Sequence, residues 1–287
     1  MTPTSQLRAL LRGEQIVVAP GAYDGITAKL IAQAGFSVAY MTGAGTAASL
    51  GYPDFGLVTM TEMADNAGRI ARSSGLPVIA DADTGYGNEL NAFRTVQEYE
   101  RRGVAGLHIE DQVSPKRCGH LDQKEIVPRA DWLAKLRAAC AARRDKDFLI
   151  IARTDARAVA GFEEAVARAN AALEAGADMA FLEAPQTMDE VAAVPRLVRG
   201  PCLLNVVHRG KTPAIDLREA ETLGYRLAIV PALLLVATIA AGDAALAALK
   251  ATHRHPEGAT DMSVGEAFAR VGAGEWAPLR TRFRDGA

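Results

Sequence analysis

Pro77-Val-Ile-Ala-Asp-Ala-Asp-Thr-Gly-Tyr-Gly87 is the stretch on which the fold turns. It starts as a short apolar run and ends in two carboxylates and two glycines. Asn88–Arg102 follows with a helical pattern and closes on Gly103. An apolar strand with one polar end, followed by a helix, is the unit of a parallel sheet covered on both faces. The same unit recurs outward in both directions. Strands are predicted at Ile16–Ala19, Ser37–Met41, Pro77–Ala82, Gly106–Glu110, Phe148–Arg153, Met179–Glu183, Cys202–Val207 and Arg226–Val230. Helices are predicted at Tyr23–Ala34, Met60–Ser74, Asn88–Arg102, Arg129–Arg144, Phe162–Ala175, Met188–Leu197, Ile215–Leu223 and Ala232–Lys250. Glycine stands at the end of several, which is helix-ending chemistry. Eight such units predict an α/β protein with a (β/α)8 TIM barrel over residues 1–250. An open doubly wound sheet is the weaker alternative, since no G-x-G-x-x-G follows the first strand. Residues 251–287 fall outside the eight units, with a helical patch near Val264–Val271, and are expected to pack as a helical tail on a neighbouring subunit.

Composition limits the function classes. The chain has 287 residues, 49% hydrophobic and 23% charged, with a net charge of −2. That supports a full core and removes the basic stripe expected of a nucleic-acid binder. Cys118, Cys140 and Cys202 make no disulfide framework and predict a reducing compartment. The first residues lack the apolar stretch of a secretory signal. Leu227–Gly242 is apolar but short and interrupted by Pro231, so it reads as a buried strand running into a buried helix rather than a membrane span. A soluble, cytoplasmic protein with no membrane partner is expected.

In a parallel barrel the catalytic groups gather at the C-terminal ends of the strands. Polar residues fall at that end repeatedly. Asp81 and Asp83 are two apart on a strand, so their carboxylates share a face. With Glu110 on the next strand and Asp54 in the preceding loop they make an oxygen-only cluster suited to Mg²⁺ or Mn²⁺. Taken alone, Asp54 reads better as a solvated loop acid. Lys116-Arg117-Cys118-Gly119-His120 places a cysteine among cations, which predicts a lowered thiol pKa and acid, base or nucleophile chemistry. Arg117 alone reads as solvated surface. Arg153, Glu183 and Asn205 end three successive strands. Arg153 suits a two-pronged grip on a carboxylate, and an internal salt bridge with Glu183 suits it nearly as well. His108 reads as a structural histidine.

Four motifs carry a resemblance: Asp81-Ala-Asp-Thr-Gly-Tyr-Gly87, Leu107-His-Ile-Glu-Asp-Gln112, Lys116-Arg-Cys-Gly-His120 and Ile151-Ala-Arg-Thr-Asp-Ala156. In content and order they resemble the isocitrate lyase/phosphoenolpyruvate mutase superfamily, in its 2-methylisocitrate lyase-like branch, from about Val17 to Lys250. The resemblance implies Mg²⁺ bound directly by Asp81, with Asp54, Asp83 and Glu110 holding its waters. It implies Cys118 as the acid that protonates the carbanion-like product, on a gating loop with Lys116 and His120, and Arg153 as carboxylate clamp. Tyr40, Thr42 and Gly43 match the substrate-binding turn, with Glu183 and Asn205 on the far side. It also implies a homotetramer exchanging C-terminal helices. Two places depart from the pattern. The turn reads Thr42-Gly43-Ala44 where Ser-Gly-Gly is usual, and His208 and Arg209 stand where glutamate and glycine are common. Ala44 and His208 are therefore the expected substrate-selecting positions.

The implied reaction cleaves a 2-hydroxy di- or tricarboxylate, of 2-methylisocitrate or alkyl-malate type, to a 2-oxo acid and a carboxylic acid. Tyr40 or Lys116 is the expected base. An oxaloacetate hydrolase or decarboxylase using the same metal site is the alternative, and a non-catalytic barrel scaffold a distant third.

Overall fold

The structure, a computed structural model, describes residues 1–121, 123–256 and 262–284. Within the described residues, eight parallel strands close into a barrel in sequence order. They are β1 (Val17–Ala22), β2 (Ala39–Met41), β3 (Val78–Asp81), β4 (Gly106–Glu110), β5 (Leu149–Thr154), β6 (Met179–Leu182), β7 (Cys202–Asn205) and β8 (Leu227–Val230). β8 pairs back onto β1, with Val17 opposite Leu227. Every predicted strand is present; Gly106–Glu110 has the predicted bounds and the other seven have displaced ends, while the helices Met60–Ser74 and Met188–Leu197 also have the predicted bounds. Gly75 and Gly224 end their helices in the left-handed region, where a side chain would strain the backbone.

The strand period of two separates the barrel interior from its helical jacket. Ile79, Leu149, Ile151, Met179, Phe181, Leu203, Leu227 and Ile229 belong to the inner cluster. Ala180, Leu182, Cys202 and Leu204 belong to the outer one, with Ala165, Ala169, Val191 and Val194 from the covering helices. Continuing the inner register toward the C-terminal ends reaches Asp81 after Ile79, Arg153 after Ile151, Glu183 after Phe181 and Asn205 after Leu203. The site is thus a polar continuation of the apolar core.

Three short helices were absent from the predicted pattern. Pro3–Arg12 is capped by Thr2, whose hydroxyl accepts the Ser5 N–H at 3.2 Å, and it buries Leu7 in the inner cluster. The helix therefore stoppers the barrel's N-terminal end. Gly43–Ser49, a Gly/Ala-rich run that reads as loop, starts at its Thr42 cap. Ala156–Val159 follows β5.

The chain falls into two compact units, Met1–Leu233 and Leu234–Ala287. The second unit contains most of the helix Leu233–Thr252 and the helices Val264–Arg270 and Ala273–Arg284; residues 257–261 and 285–287 of the expected tail lie outside the described residues. β8 is buried, except for a half-buried Val230, but none of Leu233–Thr252 is, contrary to the buried helix expected. That helix is apolar nearly all round (mean hydropathy 1.8), so it has the length and composition of a membrane span. Val236 is 58% and Ile239 54% exposed. An all-round apolar surface needs more cover than this chain supplies.

Candidate active site

β3 and β4 bring the acids together. In strand register Asp81 lies opposite His108, and Glu110 opposite Arg153. Asp81 Oδ1 accepts the Asp83 N–H at 2.9 Å, and the φ of 45° at Asp83 turns its carboxylate back toward the mouth. Gly43 packs so closely on the Asp81 carboxyl that any Cβ would strike it. Lys116 reaches in between, its Nζ 2.5 Å from Asp54 Oδ1 and 3.0 Å from Asp83 Oδ1. Part of the positive charge that clustered carboxylates require thus comes from the chain itself.

The environment splits the two aspartates. Burial would raise Asp81, but His108, Lys116 and Arg153 hold it down to about 2. Burial raises Asp83 to about 6, with Lys116 opposing and the Asp81 and Asp54 carboxylates adding to the rise. Burial also pushes Glu110 well above the usual carboxylate range. Lys116, despite burial, is held well above the ordinary lysine value by Asp83, Asp81 and Asp54. Tyr40 is pushed up by burial and by Asp81, and its hydroxyl shares a 2.8 Å hydrogen bond with His108 Nε2. Both expected bases therefore keep their protons at neutral pH and serve as hydrogen-bond donors in this arrangement.

Opposite the acids, the Cys118 loop lies against the ends of β5 and β6. Gly119 packs on Glu183 Oε1 and Arg153 Nη2 with no room for a Cβ. Burial first, then Asp54, raises the half-buried Cys118 thiol above its ordinary value, correcting the lowered pKa predicted from the basic loop. The nearby lysine is already matched to carboxylates and has no charge to spare for a thiolate. His120 Nδ1 accepts the Lys211 N–H at 3.0 Å, so the imidazole proton sits on Nε2, 3.3 Å from Glu183 Oε1. Asn205 Nδ2 donates to both Glu183 oxygens at 3.2 and 3.3 Å. Arg153 is paired internally, at 3.0 Å with Asp155 and 3.2 Å with Glu110, and stands 3.9 Å from Glu183.

Tyr40, Asp54, Asp81, Asp83, Glu110, Lys116, Cys118, His120, Arg153, Glu183 and Asn205 are thus linked around one barrel mouth. Thr42 and Gly43 lie beside Asp81, but the Thr42 hydroxyl is engaged as a helix cap, accepting the Gly45 N–H at 3.3 Å. Ala44 follows them in the same short helix. His208 and Arg209 are exposed on the loop after β7, while from the same loop Gly210 packs on the His120 ring and the Lys211 N–H donates to His120 Nδ1. His108, read as structural, is fully buried, stacked on Tyr40 and edge-on to Phe181, and its ring also stands 3.7 Å from Asp81. Burial holds it neutral, with a pKa of about 4, and Nδ1 has no hydrogen-bond partner among the described residues. Its position two residues before Glu110 on one strand face was the available signal for its place at the site. Sequence reasoning missed Lys124 and Asp155, the latter although it lies in a quoted motif.

Mg²⁺ asks for oxygen ligands and keeps several waters, so one or two carboxylates suffice. Among the described residues, no three His, Cys, Asp or Glu side chains stand close enough to cage a metal. Both Glu110 carboxyl oxygens lack hydrogen-bond partners among the described residues, which suits a water-holding role. Asp81, kept ionised, suits the direct bond.

A (β/α)8 barrel with carboxylates, a guanidinium and a loop thiol converging on its C-terminal mouth defines a barrel enzyme acting on small anions. Residues 7–250 match the phosphoenolpyruvate phosphomutase family model, and the chain belongs to this isocitrate lyase/phosphoenolpyruvate mutase superfamily. It is 48% identical over 245 residues to 2,3-dimethylmalate lyase of Eubacterium barkeri, covering 85% of each chain. It is 45% identical over 244 residues to 2-methylisocitrate lyase of Aeropyrum pernix, covering 85% of this chain and 79% of the relative. The structure of oxaloacetate acetylhydrolase with 3,3-difluorooxalacetate superposes with TM-score 0.93 at 39% identity, over 100% of this chain and 98% of that one. A phosphonopyruvate hydrolase solved with oxalate and Mg²⁺ superposes with TM-score 0.90 at 31% identity, over 99% of both chains.

Proposed function

We propose that the protein is a Mg²⁺-dependent carbon–carbon lyase that cleaves a 2-hydroxy di- or tricarboxylate, of alkyl-malate or 2-methylisocitrate type, to a 2-oxo acid and a carboxylic acid. One observation carries this reading. The Cys118 thiol, raised above its ordinary pKa by burial and by Asp54, sits on a loop that packs through Gly119 against Arg153 and Glu183. Breaking a carbon–carbon bond beside a carboxylate leaves an enolate that needs one proton, and a buried thiol that keeps its proton at neutral pH suits that task.

Asp81 would hold the ion, with Asp54, Asp83 and Glu110 on its waters. Bound there, Mg²⁺ supplies Lewis-acid polarisation of the 2-hydroxy-carboxylate end of the substrate. Arg153 orients a substrate carboxylate with its paired N–H groups, and its ion pairs with Asp155 and Glu110 keep it in place. The substrate's 2-hydroxyl passes its proton to a carboxylate of the acid cluster, Asp83, which burial holds near 6, and the oxygen that becomes the 2-oxo group then accepts hydrogen bonds from the Tyr40 hydroxyl and the Lys116 ammonium. Cys118 delivers the proton to the departing carbon. The loop's packing on Gly119 excludes water while the carbanion exists.

The similarity to oxaloacetate acetylhydrolase supports a second reading, hydrolysis or decarboxylation of oxaloacetate. Incubation with Mg²⁺ and a panel of 2-hydroxy and 2-oxo di- and tricarboxylates separates the two. A 2-oxo acid with an equimolar carboxylic acid from an alkyl-malate or 2-methylisocitrate supports the lyase. Oxalate and acetate from oxaloacetate identify the hydrolase, and pyruvate without a second acid the decarboxylase. The proposal extends to assembly and location: further copies of the chain cover Leu233–Thr252, as in a homotetramer, and three free cysteines suit the reducing cytoplasm.

A further inference from the structure

Lys124 is drawn into the site, yet the reaction as derived gives it no task. Its side chain is 1% exposed, and burying an ammonium is costly unless its partners are well placed. Its Nζ donates to the Gly119 carbonyl at 2.5 Å and to Asp155 Oδ1 at 2.7 Å. The two acceptors belong to different machinery. The Gly119 carbonyl lies in the link between Cys118 and His120. Asp155 Oδ2 meanwhile accepts Arg153 Nε at 3.0 Å, and Oδ1 lies 3.4 Å from Arg153 Nη2. One carboxylate therefore serves both the carboxylate-clamping guanidinium and the ammonium that grips the loop.

The rest of the loop is anchored at its flanks. Val113 N–H donates to Glu125 O at 2.9 Å and Val127 N–H to Asp111 O at 2.8 Å, closing the base. The Gln112 side chain bonds the Arg117 backbone in both directions, at 2.8 and 3.0 Å. Lys124 reaches from this base to the apex. Asp155 is itself set by its N–H donating to Asp111 Oδ1 at 2.8 Å, so the anchor is rigid.

We propose that Lys124 is a positioning residue whose ammonium ties the Gly119 carbonyl to Asp155 and so links the placement of the Cys118 thiol to the guanidinium that clamps substrate. This rests on the reading of Cys118 as proton donor. Misplacing a reacting group by about 1 Å costs on the order of 10²-fold in rate, so loss of the tether acts on turnover more than on binding.

The test uses the full-length Mg²⁺-loaded enzyme, its cleaved substrate and the K124M variant, which keeps the aliphatic stem. Expected is a kcat lowered about 10–100-fold with KM little changed. Iodoacetamide labelling of the Cys118 peptide, followed by mass spectrometry, is expected to speed up several-fold, and oxalate is expected to slow labelling in the wild type but not in K124M. K124R, which keeps the charge, recovers part of both. Wild-type kcat and wild-type Cys118 labelling in K124M overturn the proposal, as does a lowered melting temperature with both rates unchanged. If K124M does not fold, K124Q, which keeps an N–H donor on a side chain one bond shorter and uncharged, is read the same way. Labelling reports loop position without turnover, so a fully active C118S enzyme overturns the donor reading while leaving the Lys124 result readable.

Discussion

Cys118 differs from a typical reactive cysteine in the sign of its shift. Helix termini and unpaired cations lower a thiol's pKa, whereas burial and the Asp54 carboxylate raise this one. An unpaired thiolate is therefore disfavoured at neutral pH, and covalent attack with it. C118S is expected to lose about 10²–10⁴-fold in cleavage, measured as 2-oxo acid release, while still folding and binding metal. Alkylation of wild-type Cys118 is expected to stay slow through the range where an ordinary thiol begins to react, near ~8.5, and to rise only above it. Fast labelling at pH 7, or a covalent substrate adduct on the sulfur, contradicts the donor role. Asp81 is the other single residue on which the mechanism depends. D81N keeps shape and burial but removes the ionised oxygen. It should abolish turnover and weaken Mg²⁺ binding by calorimetry, with the melting curve largely retained. Full turnover in excess EDTA is the outcome that ends the metal reading.

At the scale of elements, the strands were legible as short apolar runs with one polar end, the pattern of parallel strands covered on both faces. Ile79 before Asp81 and Phe181 before Glu183 place the acids without any contact information. Lys116 and Lys124 were not placeable in this way. Their partners Asp54, Asp83 and Asp155 are distant in sequence, and only the closed loop brings them together. The sign of the Cys118 shift was misread for the same reason, since Lys116 is spent on Asp54 and Asp83 and Arg117 lies over the Phe55 ring. The N-terminal helix was legible but unread: Thr2 before Pro3 is a cap followed by a proline at the first turn. Its burial makes a prediction. L7A removes a fully buried side chain from the inner cluster and should cost about 2–5 kcal/mol by denaturant unfolding. The same helix is tied down by Thr4 Oγ1 donating to Asp145 Oδ2 at 2.6 Å, which holds the Asp145 pKa below its ordinary value. A lowered folded pKa stabilises above the unfolded value of ~3.9 and is lost as pH falls through the folded one. Acid should therefore loosen this helix, read by amide exchange over residues 3–12, and T4V, which removes the largest of the contacts lowering Asp145, should weaken that pH dependence. Exchange in T4V that follows pH as in the wild type would assign the effect to other acids.

For the whole molecule the unresolved balance is apolar area. The barrel unit covers its strands on both faces, whereas Leu233–Thr252 has no buried residue. Leu233, Val236, Ile239, Leu246 and Leu249 all remain between 46% and 66% exposed. A continuous apolar helix of this kind in water marks an interface or a membrane contact. Symmetric assembly hides such a surface without new sequence, because each copy brings both the helix and whatever receives it. Introducing charge at two of these positions, I239E with L246E, should then convert an oligomer into smaller species on light scattering, and the barrel's strand signature in circular dichroism should persist. The carboxylate site lies wholly in the barrel unit, so Mg²⁺ binding should survive dissociation. If the wild-type chain is monomeric in solution, or sediments with lipid vesicles, the helix has another cover and the assembly reading falls. If the double variant stays assembled, the contact between copies lies elsewhere on the barrel, and the exposed leucines still need a partner.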